Sequence, residues 1–132
     1  VIDADALNLI ARNPEIIQRS GSAPLIMTPH PGELTRLQQA FSLPQTISRI
    51  EAAQQMASYC NAIVVLKGAR TVIAAPDGLT AFNGSGSPAL ATAGSGDVLA
   101  GVIAATAGKQ RGQKLFNAVC TAVFLHGLAG GC

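Results

Sequence analysis

From Asn83 to Gly101 the chain reads Asn-Gly-Ser-Gly-Ser-Pro-Ala-Leu-Ala-Thr-Ala-Gly-Ser-Gly-Asp-Val-Leu-Ala-Gly, a glycine-rich loop running directly into an apolar helix with one carboxylate, Asp97, at the junction. Gly94, Ser95 and Gly96 are small enough for backbone N–H groups to approach an oxyanion or a phosphate, and a helix N-terminus adds unpaired donors and the positive end of its dipole. The segment is expected to be an anion hole. A carboxylate repels phosphate, so the use of Asp97 beside one is to take a proton from a hydroxyl that attacks phosphorus. An aspartate in the first helical turn can also be a plain cap, stabilising by about 0.5–2 kcal/mol. A cap, however, needs one acceptor and no glycine on either side, and the glycine density favours the anion site. Two known phosphate fingerprints are excluded. After Gly94 and Gly96 the dinucleotide pattern wants glycine where the chain has Leu99, and no G-x-x-x-x-G-K-[ST] occurs anywhere.

The rest of the chain supplies a sheet for this loop. Val1-Ile-Asp-Ala-Asp-Ala-Leu-Asn8 reads as a strand ending in acidic residues and turning into a short helix, with Asp3 or Asp5 as N-cap. Pro24 to Thr28 is a short apolar strand, Pro29-His-Pro-Gly32 a turn, and Glu33 to Phe41 a helix that Ser42 to Pro44 break. Between Thr46 and Cys60, apolar residues at Ile47, Ile50, Ala53, Met56, Ala57 and Cys60 have the spacing of an amphipathic helix with one face on a sheet. The β-branched run Ala62 to Leu66 suits a strand buried on both faces, ending in Lys67-Gly-Ala-Arg-Thr71. Thr71 to Ala75, Pro76-Asp-Gly78 and Leu79 to Phe82 make a hairpin. Val98 to Gly108 and Lys114 to Leu128 are two almost uncharged helices that should be buried.

Two residues outside the loop stand where parallel sheets collect function, at strand ends. His30, between Pro29 and Pro31, is held in a rigid turn that presents its ring rather than packing it. Lys67 could be a solvated end charge, but with Gly68 beside it and the glycine loop at the same notional edge it suits a phosphate or nucleotide contact. His126, alone on an apolar helix, is given no role.

With 48% hydrophobic and 12% charged residues the composition is that of a globular core, and 132 residues fit one domain. Nine basic and seven acidic residues form no basic run, and with four Phe, one Tyr and no Trp a nucleic-acid surface has no support. Cys60, Cys120 and Cys132 lack metal or disulfide spacing, so they read as small core residues or a frayed terminus in a reducing compartment. No apolar run reaches membrane-spanning length, and the opening has acidic residues where a leader would be basic, so the cytoplasm is the expected location. The start at Val1, already strand-like, suggests a fragment or a processed half.

Four segments together resemble a known family. Val1 to Asn8, Thr28-Pro-His-Pro-Gly-Glu33, Val65-Leu-Lys-Gly-Ala-Arg-Thr71 and Gly86 to Gly101 look like the ordered motifs of the NAD(P)H-hydrate dehydratases, repair enzymes of the ribokinase-like superfamily. The resemblance implies a three-layer α/β/α sandwich, of which residues 1–132 would be the C-terminal portion. It implies regeneration of NADH or NADPH from their hydrates, with ADP or ATP as phosphoryl donor and Mg2+. The ring hydroxyl is phosphorylated and phosphate is then eliminated. By the same analogy Asp97 is the base, Gly94, Ser95 and Gly96 form the anion hole, and Lys67, Gly68, Ala69, Arg70, Thr71 and Gly96 contact the adenine nucleotide. His30 and Asp97 would face the hydrate, and no side chain is assigned to a metal.

The chain departs from the family's loop at Ser87, Ala89, Leu90, Ala93 and Ser95, mostly small for small. Ala93 adds a Cβ where glycine would allow φ > 0. Two alternatives fit parts of the pattern. A ribokinase-like kinase acting on a sugar or vitamin-precursor alcohol would use the same loop and stop at the phosphate ester. A non-catalytic nucleotide-binding fragment would expose a sheet edge and favour pairing, as a homo-oligomer or with another chain.

Overall fold

The structure is a computed structural model that describes residues 2, 4–17, 25–45, 48–68, 70–83, 95–108 and 110–131. Its elements in chain order are α1 (Ala4–Arg12), a 3₁₀ turn (Pro14–Ile17), β1 (Leu25–Met27), α2 (Pro31–Ala40), α3 (Arg49–Cys60), β2 (Ala62–Leu66), β3 (Thr71–Ala74), β4 (Thr80–Asn83), α4 (Ser95–Ala107) and α5 (Gly112–Gly131). The strands form one mixed sheet in the order β1-β2-β3-β4. β1 and β2 are parallel, with Ile26 opposite Ile63, and β2, β3 and β4 continue antiparallel.

Strand alternation divides the core in two. Leu25, Met27, Ala62, Val64, Leu66, Val72 and Ala74 face one side and pack with Leu7, Leu34, Leu37, Ala53, Met56 and Ala57 from α1, α2 and α3. Ile26, Ile63, Val65, Ile73 and Ala75 face the other, against Leu99 and Ile103 of α4 and Leu115, Phe116, Val119, Ala122 and Val123 of α5. This is the expected α/β/α sandwich. β2 is buried along its whole length, and each large side chain it hides contributes about 1.5–3 kcal/mol.

Local chemistry sets the helix ends. Pro31 opens α2 at a position whose N–H needs no partner. Ser48 caps α3 by accepting from the Glu51 N–H at 3.4 Å, and Asn61, at φ 51 and ψ 53, ends it in the left-handed conformation that asparagine tolerates. The β3–β4 turn closes through the Leu79 N–H onto Asp77 Oδ1 at 3.1 Å, with Gly78 at φ 99.

Several expectations need correction. Asp5 does not cap α1; it lies inside the first turn, and Asp3 is outside the described residues. Of the expected first strand Ile2 is described, in a parallel bridge to Met27, while Val1 and Asp3 lie outside the described residues. α3 begins at Arg49 rather than Thr46, because Ser48 captures the first free N–H groups. Its buried face runs through Ala52, Ala53, Met56, Ala57 and Cys60, while Ile50 is exposed and Ile47 lies outside the described residues. α4 starts at Ser95, so the glycine loop yields to helix before Asp97 rather than after it. The last two helices pack on each other and on the sheet but are not buried all round: Phe124, Leu125 and Leu128 of α5 are about half exposed, near 50%. A two-faced sheet can cover only one side of a helix lying on it.

Cys60 and Cys120 are free thiols, as expected; Cys132 is outside the described residues. Burial pushes the Cys60 thiol from 9.0 up to about 12, and its Sγ lies 3.6 Å from Met56 Sδ. In the unfolded chain the thiol deprotonates at its ordinary value, whereas the fold holds it neutral. The unfolded state therefore binds fewer protons between those two values, and stability falls as pH rises from about 9 toward about 12. Urea unfolding of the wild type and Cys60→Ala across that window should show the difference in stability between them shrinking with pH; a constant difference would mean that the burial of Cys60 carries no proton linkage.

Candidate functional site

The carboxyl ends of the parallel strands form one edge. The Ile2 N–H donates to Ile26 O at 2.7 Å and the Thr28 N–H to Ile2 O at 3.1 Å, which sets the first segment level with the end of β1. On the other side the pairing continues past both strands, for the Lys67 N–H donates to Pro29 O at 2.9 Å. Thr28 and Pro29 are fully buried, so the chain turns outward only at His30. The structure thus brings together two of the expected site segments, Thr28–His30 and Lys67–Gly68.

His30 is the N-cap of α2. Its Nδ1 accepts from the Glu33 N–H at 3.2 Å, and Glu33 Oε1 accepts from the His30 N–H at 3.0 Å, a reciprocal capping box. An accepting Nδ1 assigns the proton of the neutral ring to Nε2. That nitrogen lies 3.7 Å from Glu33 Oε2, with the imidazole side chain 52% exposed and the carboxylate only 6%. The ring is presented as expected, and it also holds the turn. This structural duty was hidden because histidine is not among the favoured N-caps, although the Glu33 spacing carries the capping signature.

The loop after β2 is organised from underneath by a residue that the motifs do not point to. Arg49, the first residue of α3, donates from Nη1 to Arg70 O at 2.8 Å and from Nη2 to Lys67 O at 3.1 Å, with Leu66 O at 3.4 Å. A Cβ on Gly68 would stand 2.5 Å from Arg49 Nη2. Glycine admits this close approach of the guanidinium, and no left-handed backbone is involved. Arg70 is exposed, Thr71 opens β3, and Ala69 lies outside the described residues. The signal for Arg49 was electrostatic, since a cation in a first helical turn faces the positive end of the dipole and needs another reason to be there.

Ser95, Gly96 and Asp97 fall in the first turn of α4, whose Leu99 is buried in the core shared with Val65. The side chains of Ser95 and Asp97 and the whole of Gly94 are outside the described residues. Among the described residues, no three His, Cys, Asp or Glu side chains gather to hold a metal ion. No helix among the described residues is long and apolar enough to cross a membrane.

A three-layer α/β/α sandwich with candidate residues at the carboxyl ends of its parallel strands is shared by many α/β enzymes, and similarity to solved structures narrows it to the ribokinase-like class. A ribokinase-like superfamily protein from Enterococcus faecalis superposes with TM-score 0.76 at 32% identity, covering 98% of this chain and 43% of that one. An ADP/ATP-dependent NAD(P)H-hydrate dehydratase from Bacillus subtilis, co-crystallised with ATP and Mg2+ and soaked with CoA, gives TM-score 0.71 at 36% identity over 95% of this chain and 43% of that one. A family model described as NAD(P)H-hydrate dehydratase matches residues 1–131. The chain belongs to the NAD(P)H-hydrate dehydratase family.

Among curated relatives, the bifunctional NAD(P)H-hydrate repair enzyme Nnr of Moorella thermoacetica is 46% identical over 98% of this chain. The ADP-dependent (S)-NAD(P)H-hydrate dehydratase of Neisseria meningitidis is 41% identical over the same share. The chain spans 24% of the first relative's length and 43% of the second's.

The capping box makes a stability prediction. Glu33→Ala should cost about 1–2 kcal/mol, Glu33→Gln, which keeps an acceptor for the His30 N–H, clearly less, and His30→Asn, itself a good N-cap, under about 0.5 kcal/mol. Urea unfolding of the three variants checks this. Equal losses for Gln and Ala would mean that charge, not acceptor geometry, holds the turn.

Proposed function

We propose that this chain carries the nucleotide-dependent dehydration of NAD(P)H hydrate back to NAD(P)H, as the C-terminal portion of a single ribokinase-like domain. The observation that carries the reading is the Lys67 N–H to Pro29 O bond at 2.9 Å, which joins the His30 turn to the Lys67 loop at one strand-end edge in a chain of this family. One segment then serves the hydrate and its neighbour the nucleotide, so the hydroxyl and the phosphoryl group meet across the edge.

Within this reading Lys67, Gly68, Ala69, Arg70, Thr71 and Gly96 hold ADP or ATP, and His30 and Asp97 face the nicotinamide hydrate. Asp97 accepts the hydroxyl proton as the oxygen attacks the terminal phosphorus; the bond from that phosphorus to the bridging oxygen breaks, releasing AMP or ADP. Backbone N–H groups of Gly94, Ser95 and Gly96 stabilise the charge on the transferring group. Phosphate then leaves with the C–O bonding pair while the adjacent ring carbon loses a proton to the departing phosphate or water, restoring the double bond. Mg2+ bound to the nucleotide phosphates supplies charge neutralisation during transfer. The names of the relatives support both donor and substrate, one being ADP-dependent and another co-crystallised with ATP and Mg2+. The free Cys60 and Cys120 suit a cytoplasmic setting.

The test is recovery of reduced-nicotinamide absorbance when NAD(P)H hydrate is mixed with Mg2+, ADP or ATP and the longest natural form of this chain. Asp97→Asn should keep nucleotide binding and lower turnover about 10²- to 10⁴-fold. Near-normal turnover would return Asp97 to a helix cap. Lys67→Ala should weaken nucleotide binding at least about tenfold; unchanged affinity would leave the lysine as a strand-end charge. Accumulation of a phosphorylated product without absorbance recovery would move the assignment to a small-molecule kinase.

A further inference from the structure

We propose that Arg49 is a positioning residue for nucleotide binding: its guanidinium, seated on Gly68, clamps the carbonyls of Lys67 and Arg70 and thereby sets the β2–β3 loop and the Lys67 side chain at the strand-end edge. The proposal rests on the reading of residues 67–71 as the nucleotide loop.

Three observations converge on it. The bonds reach both limbs of the loop, Leu66 O and Lys67 O on the way out of β2 and Arg70 O on the way into β3, so one planar fork fixes the width of the connection. The loop fits closely around that fork, since Gly68 leaves no room for a Cβ beside Nη2. The cation also stands where α3 alone would favour an acid, and its Nε is buried with no hydrogen-bond partner among the described residues. Neither feature helps the helix; both follow if the guanidinium is placed to serve the loop.

The consequence for the site is directional. Lys67 is held at both of its peptides, its N–H on Pro29 O and its carbonyl on Arg49. In a trans peptide the N–H points opposite to the carbonyl it shares, and no described bond is cis. With Lys67 O turned to the guanidinium, the Gly68 N–H therefore points away from it. An anion approaching from that side meets a donor fixed in advance, with the ordering cost already met by the fold.

The experiment measures ADP–Mg2+ binding by calorimetry, and KM for nucleotide and for NAD(P)H hydrate, in the longest natural form of the chain. Arg49→Gln should raise Kd and KM for ADP about tenfold or more while KM for the hydrate stays within about twofold. A merely structural residue would lower the active fraction and leave both KM values unchanged. Arg49→Lys keeps the charge without the fork; it should bind ADP roughly fivefold more weakly, and it carries the test should Arg49→Gln fail to fold. Gly68→Ala should weaken ADP binding by itself, because its Cβ displaces the guanidinium, yet add at most about twofold in the Arg49→Gln background. Wild-type ADP affinity in Arg49→Lys or Arg49→Gln, or losses that multiply in the double variant, would overturn the clamp. Absence of both ADP and ATP binding in the unmutated chain would instead overturn the nucleotide reading, and this inference with it.

Discussion

The candidate site depends on one residue that pairs through both of its peptides after its strand has ended. Lys67 donates to Pro29 O and accepts from Arg49, which carries order one residue beyond β2 on both sides. In the dry layer of a sheet an unpaired N–H or C=O costs about 1–3 kcal/mol, so pairing persists until the chain reaches water. Thr28 and Pro29 are buried and His30 is exposed, so this transition falls at the turn where the imidazole is presented.

Two cores hold that edge in place. Because β2 contributes Ala62, Val64 and Leu66 to one face and Ile63 and Val65 to the other, neither helical layer can shift without disturbing the strand that ends in Lys67. α3 has a further part. Its buried face, centred on Ala53, Met56 and Ala57, docks the helix on the sheet, and the docking carries its first residue, Arg49, under the β2–β3 loop. Packing in the core and geometry at the edge are thus connected through the orientation of one helix.

The architecture was legible because its signals are local. Ala62 to Leu66 has no polar residue and reads as a doubly buried strand; Pro76-Asp-Gly78 specifies a turn between two short strands; and the spacing of Ala53, Met56, Ala57 and Cys60 defines a helix face. Errors occurred where a signal depends on what lies opposite. The composition of α5 suggests full burial, but the sheet covers only the stripe through Leu115, Val119, Ala122 and Val123, leaving Phe124, Leu125 and Leu128 half exposed. Asp5 has the chemistry of a cap without the position.

By itself the sequence determined the element types, since periodicity and turn chemistry are properties of neighbouring residues, and it held the motifs whose resemblance to a known family implied the three-layer arrangement. The tertiary structure alone decided that the turn at Pro29 bonds the loop at Lys67, that His30 caps α2 through Glu33, and that Arg49 fills the space Gly68 leaves. Those pairings join residues through a particular packing of strand and helix. A guanidinium reaching carbonyls about twenty residues away along the chain leaves no periodic trace, because its partners are backbone atoms that every residue possesses.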